Sequence, residues 1–258
     1  DEDSWCIDPT CIEKAITAKT KAIVPVHLFG QVCDMDGILQ IAKKNNLKII
    51  EDCAEAHGAK FKGKKVGSFG DIGCFSFYGN KVITTGEGGM CTTNNPKLNE
   101  KMRVMRDHGM SKDRRYWHEI VGFNYRLTNL QAAIGVAQLE RIENIHKNRF
   151  SYEASYKEVM SSSKFSFQKD LVNRDRIIWF VSLLVKDGID RDQCVERLKE
   201  LGIEARPFFY TLSEMEIYKK YCNKDTPIAM KLSRIGFHLP TYEVSKKMTQ
   251  LKEVLFNF

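Results

Sequence analysis

The sequence predicts an α/β protein, and three observations carry that prediction. Short apolar runs that stop at Gly or Asp alternate with amphipathic helical stretches. The first strand, helix and second strand are spaced as a βαβ unit, whose strands are normally parallel. At 258 residues, 43% hydrophobic and 28% charged, the chain has the composition of an ordinary globular protein and is long enough for one large domain or two smaller ones.

In order, "KAIVPVHLFG" (Lys21 to Gly30) and "LKIIED" (Leu47 to Asp52) are the first two strands. Between them "DMDGILQIAKKNN" sets Ile38, Leu39, Ile41 and Ala42 on one face, as an amphipathic helix does. If that pair is parallel, a right-handed crossover follows. "DIGCFSFYG" and "GGMCTTN" supply two more strands. The segment from Thr128 to Met160 reads as one long helical stretch, capped by Thr128 and tolerating Gly135. A polar break, "SSSKFSFQKD", places a domain boundary near Ser161, dividing residues 1–160 from 161–258. Beyond it come a strand, "RIIWFVSLLV", a helix ending at Gly202, and a closing helix, "KKMTQLKEVLFNF". The opening "DEDSWCIDP" has no initiating Met and reads as the interior of a longer protein.

Composition excludes several classes. The net charge of +7 is spread over doublets such as Lys43-Lys44 and Lys219-Lys220, which read as solvated surface. With no zinc-finger or RNA-binding signature, nucleic acid is not an expected partner. None of the eight cysteines is paired as C-x-x-C, so neither a metal site nor a redox dithiol is expected. Thiols inside apolar runs, such as Cys53 and Cys74, suit a reducing, cytoplasmic setting. No apolar run reaches bilayer length, so no membrane partner is expected.

Two residues stand out chemically. Asp52 ends the apolar run "KIIED", at the sheet edge where α/β folds bind ligands, although a turn or capping carboxylate is the better account on pattern alone. Lys81 follows the strand "FSFYGN" and precedes "VITTGEGG". Lysine is nucleophilic only when deprotonated, which takes burial or a neighbouring cation; by itself a solvated strand-end lysine is the simpler reading. Gly86, Gly88 and Gly89 suit a tight turn or a close backbone approach, and match no phosphate-loop pattern.

The block "EDCAEAHGAKFKGKKVGSFGDIGCFSFYGNKVITTGEGGM" closely resembles the core of the DegT/DnrJ/EryC1/StrS family of sugar aminotransferases. "VGFNYRLTNLQAAIGVAQLERI", "IEARPFF" and "GFHLPTY" match further family blocks, so the resemblance spans essentially the whole chain. It implies the aspartate aminotransferase type of fold (fold type I). That fold has a large domain with a mixed, mainly parallel sheet and a smaller α+β C-terminal domain. It also implies pyridoxal 5'-phosphate (PLP) as cofactor. The implied reaction moves the amino group of L-glutamate to a nucleotide-linked 4-keto-6-deoxy sugar, GDP-4-keto-6-deoxymannose above others. The same chemistry on a UDP- or dTDP-linked ketosugar, or at C3, stays open.

Residue by residue, the resemblance makes Lys81 the Schiff-base lysine and proton carrier, and Asp52 the carboxylate beside the pyridine nitrogen. Glu55 falls where many relatives have a ring-contacting Gln or His. Ser76 is the hydroxyl bonded to the cofactor phosphate. Asn124 reaches the phosphate held by a neighbouring subunit, which implies a homodimer with shared active sites. Related dehydratases carry His where Lys81 stands, so Lys81 favours aminotransfer. Arg206 and His27 are candidate substrate contacts, though Arg206 fits surface pairing about as well, and a satisfied core histidine is the simpler account of His27. Family members normally begin with a segment absent here, which contributes a phosphate loop and a ring-stacking aromatic. A truncated, non-catalytic remnant is therefore the alternative of a different class.

Overall fold

In the computed structural model, residues 1–160, 164–222, 225–242 and 251 are described. Asp8, whose carboxylate accepts the Thr10 N–H, and Pro9 at the first helical position start α1 (Pro9–Ala15). The chain then forms β1 (Ala22–Ile23), a 3-10 turn (Leu28–Gly30), α2 (Met35–Lys44) and β2 (Lys48–Asp52). Next come β3 (Lys60–Phe61), β4 (Lys64–Lys65), β5 (Ile72–Ser76), β6 (Gly89–Thr92) and α3 (Pro96–Arg106). Two helices, α4 (Asn129–Leu139) and α5 (Ile142–Val159), lead to β7 (Phe165–Phe167), β8 (Arg174–Asp175) and β9 (Val181–Val185). The last described elements are α6 (Arg191–Glu200), β10 (Arg206–Pro207), α7 (Pro227–Ile235) and β11 (Gly236–Leu239).

The expected βαβ unit is present. β1, β2 and β5 run parallel and β6 closes the sheet antiparallel, in the order β1-β2-β5-β6. Of the positions its sequence periodicity marks, Ile38 and Ala42 are buried in α2 together with Met35, while Leu39 and Ile41 are partly buried against the core. β1 is shorter than the apolar run that contains it, because Pro25 has no N–H to give to a ladder. Its carbonyl still accepts the Asp52 N–H at 2.9 Å, and the His27 N–H donates to the Asp52 carbonyl at 3.0 Å. The second sheet, β10-β11-β9-β7, is antiparallel. Tyr156 of α5 and Leu198 of α6 pack with Phe165, Leu183 and Phe237 of its strands. The small β4-β3-β8 sheet joins the N-terminal hairpin to the segment before β9.

Two expected elements are divided in the structure. The long helix from Thr128 to Met160 breaks at Glu140 and Arg141, where Arg141 leaves the helical region (φ −107°, ψ 8°). "RIIWFVSLLV" is a strand only from Val181. Its first half is held instead by single contacts: the Arg176 guanidinium on Glu153 (2.8 Å) and Asp170 (2.6 Å), and the Ile177 N–H on the Gly30 carbonyl (3.0 Å). The boundary near Ser161 lies outside the described residues, as does the closing helix apart from Leu251, which is helical and buried. No described helix is long and apolar enough to cross a membrane.

Candidate active site

The C-terminal ends of β2 and β5 form one edge. Asp52 stands in register with Cys74, so Asp52 and Ser76, two residues on, share that edge. Asp52 Oδ1 accepts the Ala54 N–H at 3.0 Å, and Ser76 Oγ accepts the Tyr78 N–H at 3.3 Å. Glu51, which sequence reasoning passed over, secures the turn that leads into β5. Its buried carboxylate accepts the N–H groups of Gly67, Phe69 and Gly70, each at 2.7 Å. Burial pushes the Glu51 carboxyl up, but the bonds from His27, Gly70 and Gly67 outweigh it, and the group lies below the usual carboxylate range.

Lys81 lies in the turn after β5, its N–H on the Tyr78 carbonyl (3.0 Å). Its side chain is 13% exposed, with Nζ 3.8 Å from Glu55 Oε1 and 4.7 Å from the centre of the Trp179 ring. The Trp179 indole N–H donates to the Asn80 carbonyl at 2.9 Å, fixing ring and lysine together. Burial pushes the Glu55 carboxyl up to about 7, against the downward pull of its bond from the Phe29 N–H and of the Lys81 cation. That bond, at 2.9 Å, ends on Glu55 Oε2.

The turn beyond Lys81 is clamped by α4. Thr128 caps this helix in a capping box with Gln131. In its last turn, the Gln138 amide bonds the N–H (3.0 Å) and the carbonyl (2.9 Å) of Thr84. Gln131 donates to the Glu87 carbonyl at 3.1 Å. Gly88 has φ +144°, and a Cβ there would lie 2.7 Å from Leu127 and Thr85 side-chain atoms. Gly88 therefore admits the Leu127 and Thr85 side chains, and Gly86, with φ +80° and nothing within 4 Å of a Cβ there, serves the turn itself.

Lys81 also lines a cavity of about 230 Å³ with Arg149, Glu204, Arg206, His238 and Tyr242. The Arg149 guanidinium bonds the Ile178 and Trp179 carbonyls, and its burial lowers it to about 10. Arg206 is ion-paired with Glu204. His238 is buried, with Nδ1 3.0 Å from Ser182 Oγ and Nε2 without a protein partner. Its burial, reinforced by the Arg206 cation, pushes it down to about 3. The pattern of the sequence marks none of Trp179, Arg149 and His238, because each comes to Lys81 from a distant segment.

His27 is not at this edge in a form that meets substrate. It is fully buried, with Nε2 3.3 Å from Glu51 and Nδ1 accepting the Cys33 N–H at 3.2 Å, so its nitrogens are already engaged in the interior. Asn124 lies on an exposed loop bridged to Asp107, beside α3 and α4, neither of which buries a side chain.

A fixed amine, a carboxylate and a hydroxyl gathered at the ends of two parallel strands suit PLP. His57, buried beside Phe75 and Phe77 with both ring nitrogens lacking a protein partner, adds an unsatisfied polar group near the same edge. Fold and site together define the class: a PLP-dependent enzyme of the aspartate aminotransferase type. The chain belongs to the DegT/DnrJ/EryC1/StrS aminotransferase family, whose model matches residues 1–254. It is 43% identical to a GDP-perosamine synthase of Caulobacter vibrioides, over 99% of this chain and 71% of that protein. It is also 43% identical to a GDP-perosamine synthase of Escherichia coli O157:H7, over 94% of this chain and 66% of that one. The chain thus spans about two thirds of the length of these relatives. Among solved structures it superposes with a TM-score of 0.86 on E. coli GDP-4-keto-6-deoxy-D-mannose-3-dehydratase with bound hydrated PLP. That match is at 26% identity and covers 99% of this chain and 72% of that one.

Proposed function

We propose that this protein transfers the amino group of L-glutamate to C4 of a nucleotide-linked 4-keto-6-deoxy sugar, GDP-4-keto-6-deoxymannose above others, giving a 4-amino-4,6-dideoxy sugar nucleotide. The observation that carries the reading is Lys81, an amine 13% exposed, held against Trp179 and Glu55 in the wall of a cavity. The likeness to the two GDP-perosamine synthases supports the choice of sugar and nucleotide. When bound, PLP supplies an electron sink for the carbanion left by proton removal.

The chain's own residues do the rest. Lys81 Nζ would hold the cofactor, and its free amine would take the proton from the donor's α-carbon and later return a proton to the sugar carbon. Fixing that amine within reach of one carbon is the purpose of the turn held by Asn80, Trp179 and Gln138. The Asp52 carboxylate would keep the proton on the ring nitrogen, and Ser76 Oγ would bond the phosphate. Arg149 and Arg206 offer cations at the cavity wall for the glutamate carboxylate or the sugar-nucleotide phosphate. Asn124 serves the phosphate of a second subunit in a homodimer, a role that its exposed position leaves open to it.

The test is amino transfer from glutamate to GDP-, UDP- and dTDP-linked 4-ketosugars, with products read by mass spectrometry. Amination of the GDP sugar at the greatest kcat/KM is expected. Preference for another nucleotide, or amination at C3, would replace the substrate while keeping the chemistry. PLP uptake with no amination of any ketosugar would remove the reading.

A further inference from the structure

We propose that Glu55 is the proton partner of Lys81: the two side chains share one proton, and the ionised carboxylate holds the lysine as its ammonium, so that Glu55 governs when the amine is free to bond a carbonyl carbon. The inference deepens the reading above and rests on Lys81 as its reactive amine. Glu55 Oε2 is committed to the Phe29 N–H at 2.9 Å, which leaves Oε1 as the oxygen 3.8 Å from Lys81 Nζ. The two side chains are 8% and 13% exposed, so a proton passing between them has little water to compete for it. The transfer breaks one Nζ–H bond and forms one Oε1–H bond. An ion pair becomes a neutral pair, with no other reactant.

The other charged and titratable groups around the pair do not serve the same purpose: in the cavity, Glu204 is ion-paired with Arg206, His238 is pushed down to about 3, and Arg149 is a cation bonded to the Ile178 and Trp179 carbonyls. Asp52 lies close enough for its charge to favour a protonated Glu55, and its own Oδ1 is engaged by the Ala54 N–H. His57 is pushed down to about 4 by burial, with the Lys81, His146 and Arg149 cations or rings adding to the effect, so its imidazole is a weak acceptor at neutral pH. Trp179 presents a ring face, which attracts the ammonium but takes no proton. Glu55, poised at about 7, exchanges a proton with little cost in either direction at neutral pH.

The test is competitive acetylation of the cofactor-free protein from pH 5.5 to 9. Mass spectrometry follows Lys81, with exposed Lys43 in the same digest as reference. Below pH 7, exposing the Lys81 amine costs one proton to solvent, so its rate rises about tenfold per pH unit. Above pH 7 the ionised Glu55 opposes loss of the ammonium's proton, and the rate flattens. In Glu55→Gln, which keeps an oxygen for the Phe29 N–H, the rise continues, leaving Lys81 about tenfold more reactive than in the parent at pH 8. A parent profile that rises without flattening, or flattening that survives in Glu55→Gln, would overturn the proposal. Infrared titration of the parent protein is a second readout: a protonated carboxyl band present at pH 6 and lost by pH 8 is expected, and its absence at pH 6 counts against Glu55. If PLP gives no visible band while the Lys81 profile flattens, the aminotransferase reading fails and the proton pairing stands.

Discussion

Within the cavity shared with Lys81, His238 shows how much one buried ring can be made to say. Ser182 Oγ donates to the Phe180 carbonyl at 3.1 Å, so the 3.0 Å contact with His238 is a bond from the imidazole Nδ1–H. The tautomer is thereby set, and Nε2 is left as a bare acceptor. Burial pushes the ring down to about 3. Nitrogen-15 spectra of histidine-labelled protein are therefore expected to show His238 as the neutral Nδ1–H tautomer at pH 5.5, with no titration up to pH 8. An imidazolium signal for His238 at pH 5.5 would contradict that assignment. Leu183 and Phe237, fully buried in the same sheet, carry no polar side-chain atom and face no such choice, since they contribute by packing alone.

At the scale of elements, α4 matters to the site although it buries no side chain of its own, because Gln138 and Gln131 reach from it to the turn that follows Lys81. Gln138→Ala removes both bonds to Thr84 and is expected to destabilise the protein by roughly 1–3 kcal/mol. Urea unfolding measures that loss, and faster hydrogen exchange at Thr84 and Thr85 locates it; unchanged exchange there would mean that the turn is held by other contacts. Such a clamp was beyond reach of the sequence pattern, whereas the capping of α4 by Thr128 and the buried face of α2 were legible. Caps and periodic faces are local, encoded within a few residues. The break at Arg141 and the irregular segment before Val181 are set by tertiary contacts, as Arg176 on Glu153 illustrates. The same division runs through the site. Asp52 and Lys81 stand out on strand ends, and resemblance adds Ser76 and Glu55. Trp179 comes from 99 residues beyond Asn80 and no local pattern announces it.

For the whole molecule, the buried histidines and Glu55 set opposing slopes of stability against pH. His57 and His238, lowered to about 4 and about 3, stay neutral in the fold but take up protons when unfolded below pH 6.5, and His146, also lowered by burial, acts in the same direction. Their contribution is therefore present above that pH and lost as the pH falls. Glu55, raised from 4.5 to about 7, acts the other way: its fold-favoured proton stabilises below 4.5, and the benefit is lost as the pH rises through 7. Near pH 5.5 His57, His238 and Glu55 together take up roughly one proton net on unfolding, so stability rises with pH, and Glu55→Gln steepens the rise to roughly two. Urea midpoints between pH 5 and 6.5 check this, and a falling or flat profile would contradict it. The central claim, that Lys81 is the amine around which the fold is built for PLP chemistry, has a more direct test. It is the absorption spectrum of the purified protein with added PLP, before and after glutamate, beside Lys81→Ala. A visible band that bleaches with glutamate and is absent from the variant is the expected result. A folded protein that shows no band, or a band of equal strength in Lys81→Ala, would contradict it.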